Sequence, residues 1–197
     1  MRSDQSTKVL PFPSAASTAG AALPPSPWLR GDEAAAVSDP ARIAEIARLR
    51  LDETSGDVVT DALLLGLAER FDLPSAAVNI VLDGAQLELA ARGVTGWMAE
   101  AGGVPVEWSF CRFVAATGAP FVVEDAGRHP LVRDNPLVRR GALGCYAGAP
   151  LVTSGGAAVG ALCVHGPRAR RFAEGEVAAL ARWATALTAH LERRTIR

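Results

Sequence analysis

Between Trp108 and Val164 short apolar runs alternate with cap and turn residues so regularly that few folds can accommodate the order. Trp108-Ser109-Phe110-Cys111-Arg112-Phe113 opens a helix, with Ser109 as a side-chain N-cap and Gly118 suited to the left-handed residue that closes one. Pro120 stops it, and Phe121 to Val123, aromatic then β-branched, predicts a short strand. A polar excursion from His129 ends in Asn135-Pro136, a second cap with proline at the first helical position, and Gly141 ends that turn. Ser154-Gly155-Gly156 separates two apolar runs, so residues 144–151 and 157–164 read as an antiparallel pair.

These pieces also carry a resemblance. The Ser-Phe-Cys opening, Val122-Val123-Glu124-Asp125-Ala126, Asp134-Asn135-Pro136, Tyr146-Ala147-Gly148-Ala149-Pro150-Leu151 and Gly160-Ala161-Leu162-Cys163-Val164 together resemble a bacterial GAF domain, in order and spacing, from about Ile43 to about Leu191. Each piece is a common strand or turn pattern, so the resemblance speaks to fold more than to activity. It implies an α+β domain: a central antiparallel sheet of five to six strands, N- and C-terminal helices on one face, and a pocket under loops and short helices on the other.

Composition narrows the classes. A chain of 197 residues is long enough for one sizeable core. A net charge of −1 lacks the basic excess of a nucleic-acid surface, and Lys8 is the only lysine, so the many arginines read as genomic bias rather than an anion site. Three irregularly spaced cysteines make neither a secreted disulfide framework nor a zinc pattern. Met1 to Gly20 is broken by Pro11 and Pro13, unlike a signal peptide, and no run is long enough to span a bilayer. A soluble, cytoplasmic protein without a membrane or nucleic-acid partner is the expectation.

Residues 1–37, rich in Pro, Ala, Ser and Gly, read as a disordered tail ahead of a single domain at 38–197, with Trp28 and Leu29 as anchors should the tail dock. Asp39-Pro40 starts a helix carrying Ile43, Ile46 and Leu49, and a break at Thr54-Ser55-Gly56-Asp57 precedes a second, about 57–71, whose stripe Val59, Leu63, Leu67, Phe71 is expected to face a core. Ser75 to Asp83 reads as a strand with Val78, Ile80 and Leu82 on one side and Ala77, Asn79 and Val81 on the other. Asp83-Gly84 turns it into a partner, Gln86 to Ala91, with Leu87 and Leu89 opposite Gln86, Glu88 and Ala90. Gly93 to Val106 reads as a loop with one helical turn. In the last helix Val177, Leu180, Ala184, Leu187 and Leu191 follow coiled-coil spacing, which fits either packing on the sheet or a homodimer of terminal helices, as the resemblance implies.

Chemistry is sparser. Cys111, in a first helical turn beside Arg112, sits where a thiolate is favoured, although cysteines more often simply pack. Asp125 and His129 lie on an inter-strand connection where they can orient a ligand or merely cap their own loop. His129, His165 and His190 are too scattered for a metal site, and no phosphate-binding glycine loop is present. The cysteine spacing does not resemble that of the free methionine-(R)-sulfoxide reductases, and the motifs of bilin-binding and cyclic-nucleotide-binding GAF domains are not recognisable. The pocket the resemblance implies is therefore assigned Phe110, Val114 and Tyr146 as apolar wall and Cys111, Asp125 and His129 as polar points, with ligand and cofactor unidentified. Tyr146 and Cys145 alternate across the sheet, so only one faces it. The expected function is a sensory module, not an enzyme, that detects a small molecule or redox state and signals through a dimer mate or a separate protein, no output segment following it. A thiol enzyme and a purely structural dimerisation module are the alternatives.

Overall fold

Asp39 caps helix Pro40–Arg48 by accepting a hydrogen bond from the Ala41 amide at 3.0 Å, with Pro40 at the first helical position. The computed structural model of this chain describes residues 31–51 and 57–195. Helices α1 (Gly31–Val37), α2 (Pro40–Arg48) and α3 (Val58–Phe71) lead into strands β1 (Ser75–Val81) and β2 (Ala85–Arg92). A short helix α4 (Trp97–Ala101), strand β3 (Gly103–Pro105) and a 3-10 turn, Val106–Trp108, precede α5 (Cys111–Thr117) and β4 (Phe121–Val123). Then come α6 (Pro136–Arg139), β5 (Cys145–Val152), β6 (Ala158–Gly166) and α7 (Glu174–Thr195). The six strands form one antiparallel sheet in the order β3-β2-β1-β6-β5-β4.

The expected α+β layering holds. On one face α2, α3 and α7 bury an all-apolar core of Ile46, Leu64, Leu67 and Phe71 with Val78, Ile80, Leu151, Leu162 and Leu180. Each such large side chain contributes about 1.5–3 kcal/mol by leaving water. On the other face α5 and its flanking segments pack Val81, Phe110, Val114 and Tyr146 in a second cluster. Gly118 closes α5 at φ +62°, the left-handed conformation expected there.

Five expectations need correction. The expected disordered tail extends to residue 37, but Gly31–Val37 is helical and packs on α5, with Val37 only 1% exposed and its carbonyl accepting from the Arg42 guanidinium. A composition rich in alanine hid a helix whose one large apolar residue is its anchor; Trp28, Leu29 and most of the Thr54–Asp57 break lie outside the described residues. The buried stripe of α3 is Thr60, Leu64, Leu67 and Phe71, while Val59 points outward. Steps of four drift around a helix that turns every 3.6 residues, and α3 is apolar nearly all round, so spacing alone chose the wrong line.

The third correction concerns β2. A β-bulge between Val78 and Asn79 pairs Val78 with Ala90 and Asn79 with Glu88, leaving Leu89 as the extra residue. Ala90 therefore joins Leu87 and Leu89 on the helical side instead of Gln86 and Glu88. The region read as a loop, 93–106, also contributes the edge strand β3. Finally, the α7 seam is consumed within the domain: Leu180, Ala184, Leu187 and Leu191 are at most 3% exposed against the sheet, and Val177 is half-buried, so this stripe is not free to form a dimer.

Candidate ligand cavity

Strand alternation decides which side chains reach the second face. Ala77 and Asn79 from β1, Gln86 and Glu88 from β2, Tyr146 from β5, and Cys163 and His165 from β6 all point there and floor a cavity of about 50 Å³. Val94, Met98, Gly103 and Val104 form one rim, Ser109, Phe110 and Cys111 the roof, and Leu137, Ala142 and Leu143 the far side. Since room for one water takes roughly 10–15 Å³ measured this way, the space suits about four heavy atoms, well short of a nucleotide.

At its floor a polar knot joins three strands to the start of α5. The Asn79 Nδ2 donates to Cys111 Sγ and Cys163 Sγ, each at 3.4 Å, and the Tyr146 hydroxyl donates to Cys111 Sγ at 3.2 Å. The hydrogen bond from the Cys163 thiol holds Cys111 below the ordinary thiol range; burial opposes this, while Tyr146, Asn79 and Ser109 assist. That same bond, with burial, pushes Cys163 well up, and burial does the same to Tyr146. The arrangement is one sulfur acceptor with three donors around it. With Nδ2 committed to sulfur, the Oδ1 of Asn79, a residue only 3% exposed, has no hydrogen-bond partner among the described residues.

Two further groups complete the polar floor. Burial lowers His165 to about 4, so its ring is neutral near pH 7, and its buried Nδ1 has no partner among the described residues. Burial raises the Glu88 carboxyl, which makes no ion pair with any described residue and whose charge reaches Cys163. Above them Ser109 donates to the Gln86 Oε1 at 2.6 Å and accepts from the Arg112 amide, tying the roof to β2.

Three of the six expected pocket residues, Phe110, Cys111 and Tyr146, line this space. Val114 is fully buried in the second core but does not reach the cavity. Asp125 stays within its own turn, its Oδ1 beside Gly127. His129 packs edge-on to Phe121, with ring centroids 5.7 Å apart, and accepts at Nδ1 from the Leu131 amide; burial lowers its pKa. Arg112, expected to sit beside the thiol, instead turns its guanidinium to the carbonyls of Glu107 and Ser109, where burial brings it down to about 10. Tyr146 and not Cys145 faces the cavity. Asn79, Glu88 and His165 were missed; an asparagine inside Ser75-Ala76-Ala77-Val78-Asn79-Ile80-Val81, buried at every position, was the available signal.

The family model of the GAF domain matches residues 56–191. The chain belongs to the GAF domain family. A cyclic di-GMP phosphodiesterase of Pseudomonas aeruginosa is 33% identical to this GAF protein over 136 residues, 66% of the chain but 22% of that protein's length. Among solved structures, the GAF domain from an Acinetobacter phosphoenolpyruvate-protein phosphotransferase aligns with a TM-score of 0.56 at 14% identity, over 79% of this chain and 95% of that one. A type II free methionine-R-sulfoxide reductase from Thermoplasma acidophilum aligns with a TM-score of 0.54 at 15% identity, covering 68% and 89%. Likeness at such identities concerns the GAF fold, not the chemistry. Among the described residues no helix is long and apolar enough to cross a membrane.

Proposed function

We propose that this GAF domain is a sensory module that takes up a small molecule between its sheet and the 94–143 cover and carries no turnover of its own. The observation that supports it is a cavity whose floor holds buried polar atoms without partners inside an otherwise close-packed second core. Ligand sites are apolar concavities with a few such groups placed to orient a guest. The signal passes to a dimer mate or a separate protein through surfaces other than the buried α7 stripe. Three buried free thiols fit a reducing compartment, the cytoplasm.

Native mass spectrometry of the protein purified from its own host tests this reading. The expected result is a small adduct lost on denaturation. A bare polypeptide mass, joined by a melting temperature unmoved by any of a panel of small polar metabolites, leaves only a scaffold. A second reading, thiol chemistry, is favoured by the hydrogen-bonded Cys111 and Cys163 at the cavity floor. Replacing Cys111 by Ser separates the two: a sensor keeps its adduct, while a thiol enzyme loses any turnover measured in the wild type.

A further inference from the structure

The β2 bulge sets Glu88 directly opposite Asn79 on adjacent antiparallel strands, both facing the cavity. Directly opposed residues keep their Cβ atoms about 5 Å apart. Two acceptors, the Asn79 Oδ1 and the Glu88 carboxylate, thus stand side by side, one buried and unpartnered and the other without an ion pair among the described residues. Among the described residues no lysine or arginine lines the cavity, so none of them there compensates an anionic guest.

From this we infer that the Asn79–Glu88 pair makes the cavity a site for a small planar cation of the amidinium or guanidinium class. The inference rests on the sensory reading above and names its ligand chemistry. A flat fork of N–H donors meets two adjacent acceptors at once, with charge assistance at the carboxylate. The cation also restores to Glu88 the compensating charge that burial denies it. Phe110, Met98, Leu137 and Leu143 supply apolar lining against which a small alkyl substituent can pack. A cavity of about 50 Å³ suits the small members of this class, such as acetamidinium and methylguanidinium.

Met98 lines the cavity and is one of only two methionines, so protein labelled with ¹³C at the methionine methyls reports occupancy in a spectrum of two signals. Millimolar methylguanidinium, acetamidinium, neutral N-methylurea and acetate are titrated in turn at matched ionic strength. Methylguanidinium or acetamidinium is expected to move the Met98 signal saturably, at least tenfold more tightly than N-methylurea, with acetate inert. Glu88→Gln, which keeps the shape and removes the charge, is expected to weaken cation binding tenfold or more. Should that variant fold poorly, the comparison of methylguanidinium with N-methylurea in the wild type decides alone. Equal binding of the neutral isostere, or better binding of acetate, overturns the cation assignment and leaves the cavity reading standing. No response to any probe overturns the assignment, and together with a bare native mass it overturns the sensory reading as well.

Discussion

Replacing Asp57 by Ala removes a carboxylate that does two jobs at once. It caps α3, accepting from the amides of Val59 at 2.9 Å and Thr60 at 3.2 Å, and it binds the end of α7 through His190 at 3.2 Å and Arg194 at 2.7 Å. Burial alone would raise its pKa, but the Thr60 hydroxyl and amide, His190 and the Val59 amide outweigh that and bring it from 3.8 to about 2. Each pKa unit corresponds to about 1.4 kcal/mol, so the ionised carboxylate stabilises the fold by roughly 2 kcal/mol at neutral pH. In a domain of this size that is a fall in Tm of about 4–8 °C. The folded-state pKa is depressed, so this stability is complete above the unfolded value near 4 and is lost as pH falls through about 2. Urea denaturation of wild type and Asp57→Ala at pH 7 and pH 2.5 is the assay, and the gap is expected to shrink to roughly a third at the lower pH. Asp57→Asn keeps an acceptor for the cap and loses the charge, so it should fall between the two. A cost below about 0.5 kcal/mol at pH 7, or one that does not change with pH, refutes the assignment.

Leu187→Ala is expected to cost about 2–5 kcal/mol in urea denaturation, with the elution volume in size-exclusion chromatography unchanged. A small cost with an altered oligomeric state would return the α7 stripe to an interface. Tyr146→Phe removes the hydroxyl donor from Cys111, so the thiolate absorbance of that cysteine should appear at higher pH than in the wild type, with stability changed by about 1 kcal/mol. An identical titration curve would remove Tyr146 from the sulfur network. Gly148→Ala places a Cβ 2.2 Å from the Tyr146 hydroxyl oxygen, so it should cost about 1–3 kcal/mol and shift the ring resonances of the single tyrosine; unchanged resonances would mean the two residues do not share that face.

The parts of the fold that were legible are those written in local backbone chemistry. Asp39-Pro40 and Asn135-Pro136 each cap a helix through their own side chains, the latter accepting from the Leu137 amide at 2.9 Å, and Gly118 takes the conformation that few other residues tolerate. Alternation in β1 correctly placed Val78 and Ile80 opposite Ala77 and Val81. What escaped depended on partners distant in the chain. The bulge at Leu89 exists because β2 must register against β1, and no signal within Ala85–Arg92 announces it. The face that α3 buries is chosen by the sheet beneath it. Asp125 and His129 were plausible because polar residues on loops often bind, but Phe121 turns His129 into a packing partner. Asn79 is a polar break in an apolar strand, which marks the face it occupies but not that its oxygen lacks a partner among the described residues.

The two sides of the sheet therefore carry different burdens. On the helical side the buried hydroxyls of Thr60 and Thr188 are hydrogen-bonded within an otherwise apolar core, whereas the cavity side holds the Asn79 Oδ1 with no partner among the described residues, a defect that costs about 1–3 kcal/mol. β1 belongs to both: Asn79 faces the cavity while Val78 and Ile80, its immediate neighbours, pack against the helical layer. A guest that satisfies Asn79 and Glu88 acts on adjacent strands at the bulge, where the ladder is already irregular, and α3 is the helix packed behind both of those strands. Signalling requires that binding favour one helix arrangement over another. Methyl-labelled Leu64 and Leu67, which never touch the cavity, should therefore respond to a saturating cation, and the response should vanish in Glu88→Gln. Binding reported by Met98 with both leucines silent would mean that the sheet insulates the two layers, leaving the cover, not α3, to carry any signal.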